Sequence, residues 1–165
     1  MLPEELKKFI GQTVDSSIFE IEKEPIRRFA DAVGDYNPLY WDEGFAKKSR
    51  YGAIIAPPGF LSSLWYTGRS TKWGPRERPS ESLGSPELMN TLYKAGYKRI
   101  LDTGIDYEFN AAVKAGDVIT AVTIVKDMME RSSKDGKVVF LVTETTWTNQ
   151  DRQIVSKARS MTIHQ

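Results

Sequence analysis

The chain has 165 residues, no cysteine and a single histidine, His164. Without cysteine there is no disulfide, no thiolate metal ligand and no cysteine nucleophile, and one histidine excludes a metal site built on two histidines. The 23 basic and 22 acidic residues leave a net charge of only +1. This charge balance argues against a nucleic-acid partner. The length of the chain predicts one domain over residues 1–165.

No apolar run approaches the ~20 residues that a membrane-spanning helix needs. The N-terminal segment also lacks the apolar core of a signal peptide. Hydrophobic residues make up 40% of the chain and charged residues 27%, which is typical of a globular domain. We therefore expect a cytoplasmic protein with no membrane partner.

The first part of the chain predicts one strand followed by short helices. Ser17–Glu22 alternates in part, as a strand does. Pro25–Val33 has apolar residues at the i, i+3, i+4, i+7 spacing and precedes Gly34, which predicts a helix that begins at a proline and stops at a glycine. Glu43–Lys48 predicts a second short helix.

A strongly apolar helix is predicted after the Pro-Pro-Gly sequence at 57–59. Its residues Phe60–Trp65 are apolar except for two serines. Because a helix that is apolar on most sides is buried on most sides, we expect other elements to surround it. The next residues, Thr67–Lys98, are rich in Gly, Pro and Ser and predict a long excursion with one helix over Pro86–Tyr93. Loops of this length are usually functional or mobile.

The second half of the chain is rich in strand signals. We predict four strands, with hairpin turns at 133–137 and 149–152: Ile105–Val113, Asp117–Lys126, Val138–Thr148 and Ile154–Ile163. In this order they favour a meander of four strands. The predicted fold class is α+β, a five-stranded antiparallel sheet that curves around the apolar helix.

Nearly the whole chain resembles the MaoC-like hydratases and dehydratases, in particular the dehydratase domain of the fatty-acid-synthase type. The residues that carry the resemblance are Phe29–Tyr40, Asp42-Glu43, Ser49–Gly52, Ile55–Pro58, Val113–Asp117 and Asn149–Val155. The family implies the hot-dog fold, in which a curved sheet wraps a central helix. It also implies a homodimer or a heterodimer with another hot-dog subunit, acyl thioesters of coenzyme A or acyl carrier protein as ligands, and no metal or other cofactor.

The resemblance extends to the family's catalytic motif, an Asp followed five residues later by a His with Asn-Pro between them. In the family this pair activates a water that adds to a 2-enoyl thioester. Here Asp35, Asn37 and Pro38 match the motif, but Tyr40 occupies the histidine position. A tyrosine with a reference pKa of about 10 is a poor base at neutral pH and a reasonable proton donor. Without the motif, Asp35 would be interpreted as a turn former.

A second departure concerns the start of the central helix. Family enzymes often have His-Gly there, and the backbone N–H of that glycine binds the thioester carbonyl. Pro57-Pro58 occupies this place, and proline has no N–H, so Gly59 is the candidate donor. The predicted substrate-binding residues are Pro58, Gly59, Phe60 and Arg50. Arg50 is a candidate for coenzyme A phosphates, although single basic residues are often solvated surface.

Because two catalytic features are altered, we favour the hypothesis of a degenerate hot-dog subunit that binds the acyl thioester while a partner supplies Asp and His. The other version is a homodimer that catalyses hydration or dehydration with Asp35, Tyr40 and Asn37. Alternatives are a hot-dog acyl-CoA thioesterase, which would use a carboxylate without histidine, and a non-catalytic acyl-binding subunit. His164, near a chain end that we expect to fray, is assigned no role.

Overall fold

The computed structural model of the chain describes residues 2–67, 86–134 and 136–165, without the side chains of 65–67. Six helices and five strands lie within these ranges. In chain order they are α1 Glu4–Lys7, β1 Thr13–Glu20, α2 Lys23–Ala32, α3 Pro38–Trp41, α4 Glu43–Lys48, α5 Phe60–Thr67, α6 Pro86–Lys94, β2 Ile100–Phe109, β3 Val118–Ser133, β4 Gly136–Thr148 and β5 Ile154–His164.

The five strands form one antiparallel sheet in the order β1-β3-β4-β5-β2. The predicted α+β class, with a five-stranded sheet around an apolar helix, is confirmed. The predicted meander is wrong for β2, which pairs with β5 and not with β3.

The segment between β2 and β3 explains this difference. The predicted strand Ile105–Val113 ends at Phe109, and the chain then leaves the sheet. Ala56 N–H donates to Val113 O at 2.8 Å and Ala115 N–H donates to Ile54 O at 2.9 Å, so residues 113–115 pair with the loop before α5. This crossing carries the chain from one edge of the sheet to a position beside β1.

The strands β3 and β4 extend beyond the predicted bounds. The prediction ended the third strand at Lys126, where two consecutive polar residues break the alternation. In the structure a bulge between Val125 and Asp127 absorbs one residue, and the strand continues to Ser133. The predicted turn at 133–137 includes residue 135, which lies outside the described residues.

Local signals set the end of α2 as predicted. Gly34 adopts a positive φ of 70°, which a glycine tolerates without steric cost. Its N–H donates to Asp31 O at 3.0 Å, and Asp35 N–H donates to Ala30 O at 2.9 Å. The backbone hydrogen bonds that end the helix therefore also hold Asp35.

The helix α5 packs on the sheet through the main hydrophobic cluster. Phe60, Leu61 and Leu64 are 1%, 6% and 5% exposed, and they share this cluster with sheet residues of β3, β4 and β5, including Ile119 and Trp147. The predicted apolar helix is confirmed for its described side chains; that of Trp65 is outside them. This contact fixes where α5 begins relative to the sheet.

A second hydrophobic cluster lies at the far ends of β3 and β4. It joins α1 and α6 to the sheet, with Leu6, Leu88, Leu92 and Val125 among its buried residues. Within the predicted excursion Thr67–Lys98, the helix over Pro86–Tyr93 is confirmed, with one more residue at its end. Residues 68–85 of that excursion lie outside the described residues.

Because of this second cluster, we predict that substitutions on the buried and the exposed face of α6 differ greatly in their effect on stability. Leu92→Ala removes a side chain that is 1% exposed, and it should lower the free energy of unfolding by about 2–5 kcal/mol. Asn90→Ala changes an exposed position of the same helix and should have an effect under about 0.5 kcal/mol. Urea unfolding of both variants measures the difference, and similar values would show that α6 does not pack on the sheet.

The chain end is held in the sheet, against our expectation that it frays. His164 pairs with Val139 of β4 and Ile100 of β2, and it is 2% exposed. The ring Nε2 lies 3.0 Å from Thr162 Oγ1. Burial lowers the pKa of His164 to about 4, although the charge of Asp102 opposes the shift.

Because the pKa of His164 is lowered in the folded chain, we predict that the free energy of unfolding depends on pH. Its folded-state pKa lies below the ordinary value, so between about pH 6.5 and pH 4 the unfolded chain binds a proton that the folded chain does not. The free energy of unfolding should fall by on the order of 1 kcal/mol between about pH 6.5 and pH 5, and His164 should have no effect above that range. His164→Gln should remove this slope in urea unfolding series, since the chain has no other histidine. An unchanged slope in the variant would contradict the assignment.

Candidate functional site

A cavity of about 510 Å³ opens at the beginning of α5. One wall is formed by α3 and the loop before α5, including Asn37, Tyr40 and Tyr51. The lining also includes the end of β2, the crossing segment 110–113 and the start of β5. Because β2 pairs with β5, residues of both strands line the same cavity as Asn37 and Tyr40.

The Asn-Pro pair of the predicted motif begins α3. Asn37 Oδ1 accepts the N–H of Leu39 at 3.0 Å, and Pro38 occupies the first turn, where a missing N–H costs nothing. Tyr40 N–H donates to Asn37 O at 2.9 Å. This short capped helix holds Tyr40 against the core, and both Asn37 and Tyr40 line the cavity.

Tyr40 is 7% exposed and its ring belongs to the main hydrophobic cluster. Its hydroxyl accepts or donates no hydrogen bond among the described residues. Burial raises the pKa of Tyr40, and the negative charges of Asp35 and of ionised Tyr51 raise it further. Tyr40 therefore stays protonated at neutral pH, and its hydroxyl is an O–H donor and not a base.

Asp35 lies beside Tyr40 but is not among the residues that line the cavity. Its Oδ1 accepts the N–H of Asn37 at 3.1 Å, and its carbonyl oxygen accepts the indole N–H of Trp41 at 3.1 Å. These are the contacts of a turn-forming aspartate, the alternative interpretation of this residue. The catalytic role of Asp35 stays a prediction.

The start of α5 forms the floor of the cavity through Pro57, Pro58, Gly59 and Phe60. Gly59 has a φ of 84°, so this position favours glycine. Phe60 N–H donates to Pro57 O at 3.1 Å, whereas the N–H of Gly59 donates to no acceptor in the described part of the chain. Gly59 thus offers a free backbone donor at the positive end of a helix dipole.

Arg50, also on the cavity wall, is exposed and contacts its neighbour Tyr51. Its guanidinium donates to Tyr51 Oη at 2.6 Å and lies 4.8 Å from the centre of that ring. The structure therefore brings together six predicted site residues, namely Asn37, Tyr40, Arg50, Pro58, Gly59 and Phe60. Asp35, the seventh predicted site residue, does not line the cavity.

Sequence reasoning missed several residues of the cavity, above all Tyr51 and Tyr107. Tyr107 Oη is hydrogen-bonded to Ser62 Oγ of α5, and its ring stacks on Phe109 with centroids 5.3 Å apart. Tyr51 lies within a segment that carried the family resemblance, which was an available signal. Tyr107 had no such signal, because its place depends on the pairing of β2 with β5.

No group of three or more acidic or histidine side chains in the described ranges could hold a metal ion. Within those same ranges, no helix has the length and apolar character needed to cross a membrane.

Several curated proteins are similar to the chain. The chain is 28% identical over 138 residues to a UPF0336 protein of Thermobifida fusca, covering 84% of this chain and 80% of that protein. It is 27% identical over 135 residues to a probable enoyl-CoA hydratase alpha subunit of Thermomonospora curvata, covering 81% of this chain and 41% of that protein.

Solved structures show the same fold at lower identity. The ChsH1-ChsH2 complex from Mycobacterium tuberculosis matches with a TM-score of 0.73 at 17% identity, covering 97% of this chain and 93% of that one. The HadBC (3R-hydroxyacyl-ACP dehydratase) complex from the same organism matches with a TM-score of 0.68 at 21% identity, covering 94% and 96%.

The model of the family described as "FAS1-like, dehydratase domain region" matches residues 8–158, which is nearly the whole chain. The sheet order, the buried α5 and the solved structures agree with this match. The chain belongs to the FAS1-like dehydratase family and has the hot-dog fold of the MaoC-like dehydratases.

Proposed function

We propose that this chain binds acyl thioesters of coenzyme A or acyl carrier protein and is the substrate-binding subunit of a two-subunit hydratase or dehydratase. One observation carries the proposal: an open cavity at the start of α5 has Tyr40 where the family motif has its histidine. The family membership supports the ligand class. The heteromeric ChsH1-ChsH2 and HadBC complexes support the division between two hot-dog subunits.

The state of the motif residues supports a binding role over independent catalysis. Tyr40 has a raised pKa, so at neutral pH it is protonated and cannot take a proton from water. The carboxylate of Asp35 accepts the N–H of Asn37 and does not line the cavity. Neither residue is therefore arranged as the general base that hydration of a double bond requires.

The same cavity is well suited to hold a thioester. The free N–H of Gly59 is the donor for the thioester carbonyl, and Phe60 and Ile55 provide apolar surface for the acyl chain. Arg50, exposed on the cavity wall, has N–H groups beyond the one used by Tyr51 and is the candidate contact for the ligand's phosphates. No cofactor is needed for binding of this kind.

The free edge of β2 is the surface that we assign to the hot-dog partner. Among the described strands, this ten-residue strand pairs with β5 alone. Its Ile100, Leu101, Ile105 and Phe109 are 49%, 50%, 44% and 56% exposed. A long apolar edge strand pairs readily with another strand. A second sheet, from a copy of this chain or from a related subunit, would cover it.

The binding-subunit proposal predicts ligand binding without turnover. The purified chain should bind 2-enoyl-CoA thioesters in calorimetric titrations but should not reduce their enoyl absorbance. Hydration should appear when a hot-dog subunit carrying the Asp and His motif is added.

Three results would contradict this prediction. Hydration by the chain alone that disappears in Asp35→Asn would identify an independently active enzyme. Release of free coenzyme A from acyl-CoA would identify a thioesterase. Absence of binding across short, medium and long acyl chains would remove the acyl-thioester assignment altogether.

The edge-strand proposal predicts a defined assembly defect. Ile105→Lys should weaken self-association or association with the partner subunit by at least tenfold in analytical ultracentrifugation, because it places a charge on the apolar edge. Ile10→Lys is the control, since Ile10 is similarly exposed at 39% but lies between α1 and β1. An equal effect of the two substitutions would argue against β2 as the interface.

A further inference from the structure

The edge strand β2 has a different surface on each of its two faces. On one face lie Ile105, Tyr107 and Phe109, and the last two rings stack with centroids 5.3 Å apart. On the other face lie Asp106 and Glu108, which are both exposed. The strand contains a third acidic residue and no basic residue. The edge that we assign to a partner is therefore apolar on one face and negative on the other.

The acidic face of β2 keeps its charge available to a partner strand. Asp106 pairs in register with Arg159 of β5, and Glu108 pairs with Lys157. Arg159 also has Glu144 of β4 on its other side, so it lies between two carboxylates. Among the described residues, neither Asp106 nor Glu108 has a basic group within ion-pair distance.

A second copy of this chain would pair with β2 about a two-fold axis, and this restricts the register. Side chains directly opposite each other on antiparallel strands point to the same face. The regular part of β2 begins after the bulge at 102–104 and extends to Phe109, so its middle lies at Asp106 and Tyr107. An axis at Asp106 places this residue opposite its own copy. An axis at Tyr107 places Asp106 opposite Glu108 twice.

Both of these registers bring carboxylates together at the edge. Like charges directly opposite each other on paired strands are destabilising. An axis at Ile105 leaves Asp106 diagonal to its own copy, at about 7–8 Å. A strand with Lys or Arg at the facing positions would instead place opposite charges beside Asp106 and Glu108. The edge of this chain is therefore complementary to a basic edge and not to itself.

We propose that Asp106 and Glu108 select the partner at the β2 edge: a hot-dog subunit whose own edge strand carries Lys or Arg opposite them, and not a second copy of this chain. The inference rests on the proposed function, which assigns β2 to a hot-dog partner, and it states the chemistry of that partner. The apolar row of Ile105, Tyr107 and Phe109 stabilises pairing with any such edge. The acidic row determines which edge is preferred.

The test uses the chain as its own probe, because reversing the two charges creates a basic edge. Asp106→Lys and Glu108→Lys are introduced together, and this charge-reversed chain is mixed with the wild type in analytical ultracentrifugation. We expect the mixed pair to associate about 10-fold more tightly than either chain with itself. Higher salt should weaken the mixed pair and strengthen self-association of the wild type, because salt screens attraction and repulsion alike.

A neutral variant and a control complete the set. Asp106→Asn with Glu108→Gln removes both charges at nearly constant shape and should strengthen self-association about 10-fold. This variant keeps the test decisive if the charge-reversed chain, whose lysines lie opposite basic residues of β5, fails to fold in urea unfolding experiments. Glu5→Lys with Glu20→Lys is the control, since both residues are exposed and lie on α1 and β1. Its mixture with the wild type should associate no more tightly than the wild type alone.

The outcomes separate this inference from the proposed function. Wild-type self-association as tight as that of the neutral variant, or a mixed pair no tighter than the mixture with the control, would overturn the inference and leave β2 as the interface. Ile105→Lys should weaken the mixed pair. If it has no effect on that pair, the assignment of β2 in the proposed function is overturned, and the inference with it.

Discussion

Burial of α5 against the sheet is the contact on which the rest of the structure depends. Phe60, Leu61 and Leu64 remove their side chains from water only because β3, β4 and β5 present an apolar face to them. Each such side chain contributes about 1.5–3 kcal/mol on burial. The Pro-Pro-Gly turn at 57–59 allows the helix to start at the edge of this face, and the space left beside its first turn is the cavity.

Near that cavity, the local hydrogen bonds that stabilise the fold also engage a residue of the predicted catalytic motif. The end of α2 and the start of α3 satisfy their backbone groups with Asp35 and Asn37. This arrangement places Tyr40 on the wall, but it also uses an oxygen of Asp35 as a turn acceptor. A carboxylate engaged in this way has a structural role in the turn, which agrees with the binding role that we propose.

The cavity wall combines hydrogen-bond donors with apolar surface. Gly59 supplies a backbone N–H, and Tyr40 and Tyr51 supply phenol O–H groups, while Phe60 supplies apolar contact. The acyl thioester that we propose as the ligand has a carbonyl oxygen and an apolar chain, one for each kind of surface.

The sequence by itself determined the elements with strong local signals: α4 with both bounds, α6 within one residue, the glycine stop after α2, the apolar α5 and the strand-rich second half. The family resemblance added the fold and six of the residues that line the cavity. Only the tertiary structure decided that β2 pairs with β5, that β3 continues through a bulge, and that His164 is buried. Each of these depends on contacts between residues far apart in the chain, and alternation within a strand carries no information on which neighbour it will have. For the same reason the place of Asp35 outside the wall, and of Tyr51 and Tyr107 on it, could not be derived from their spacing.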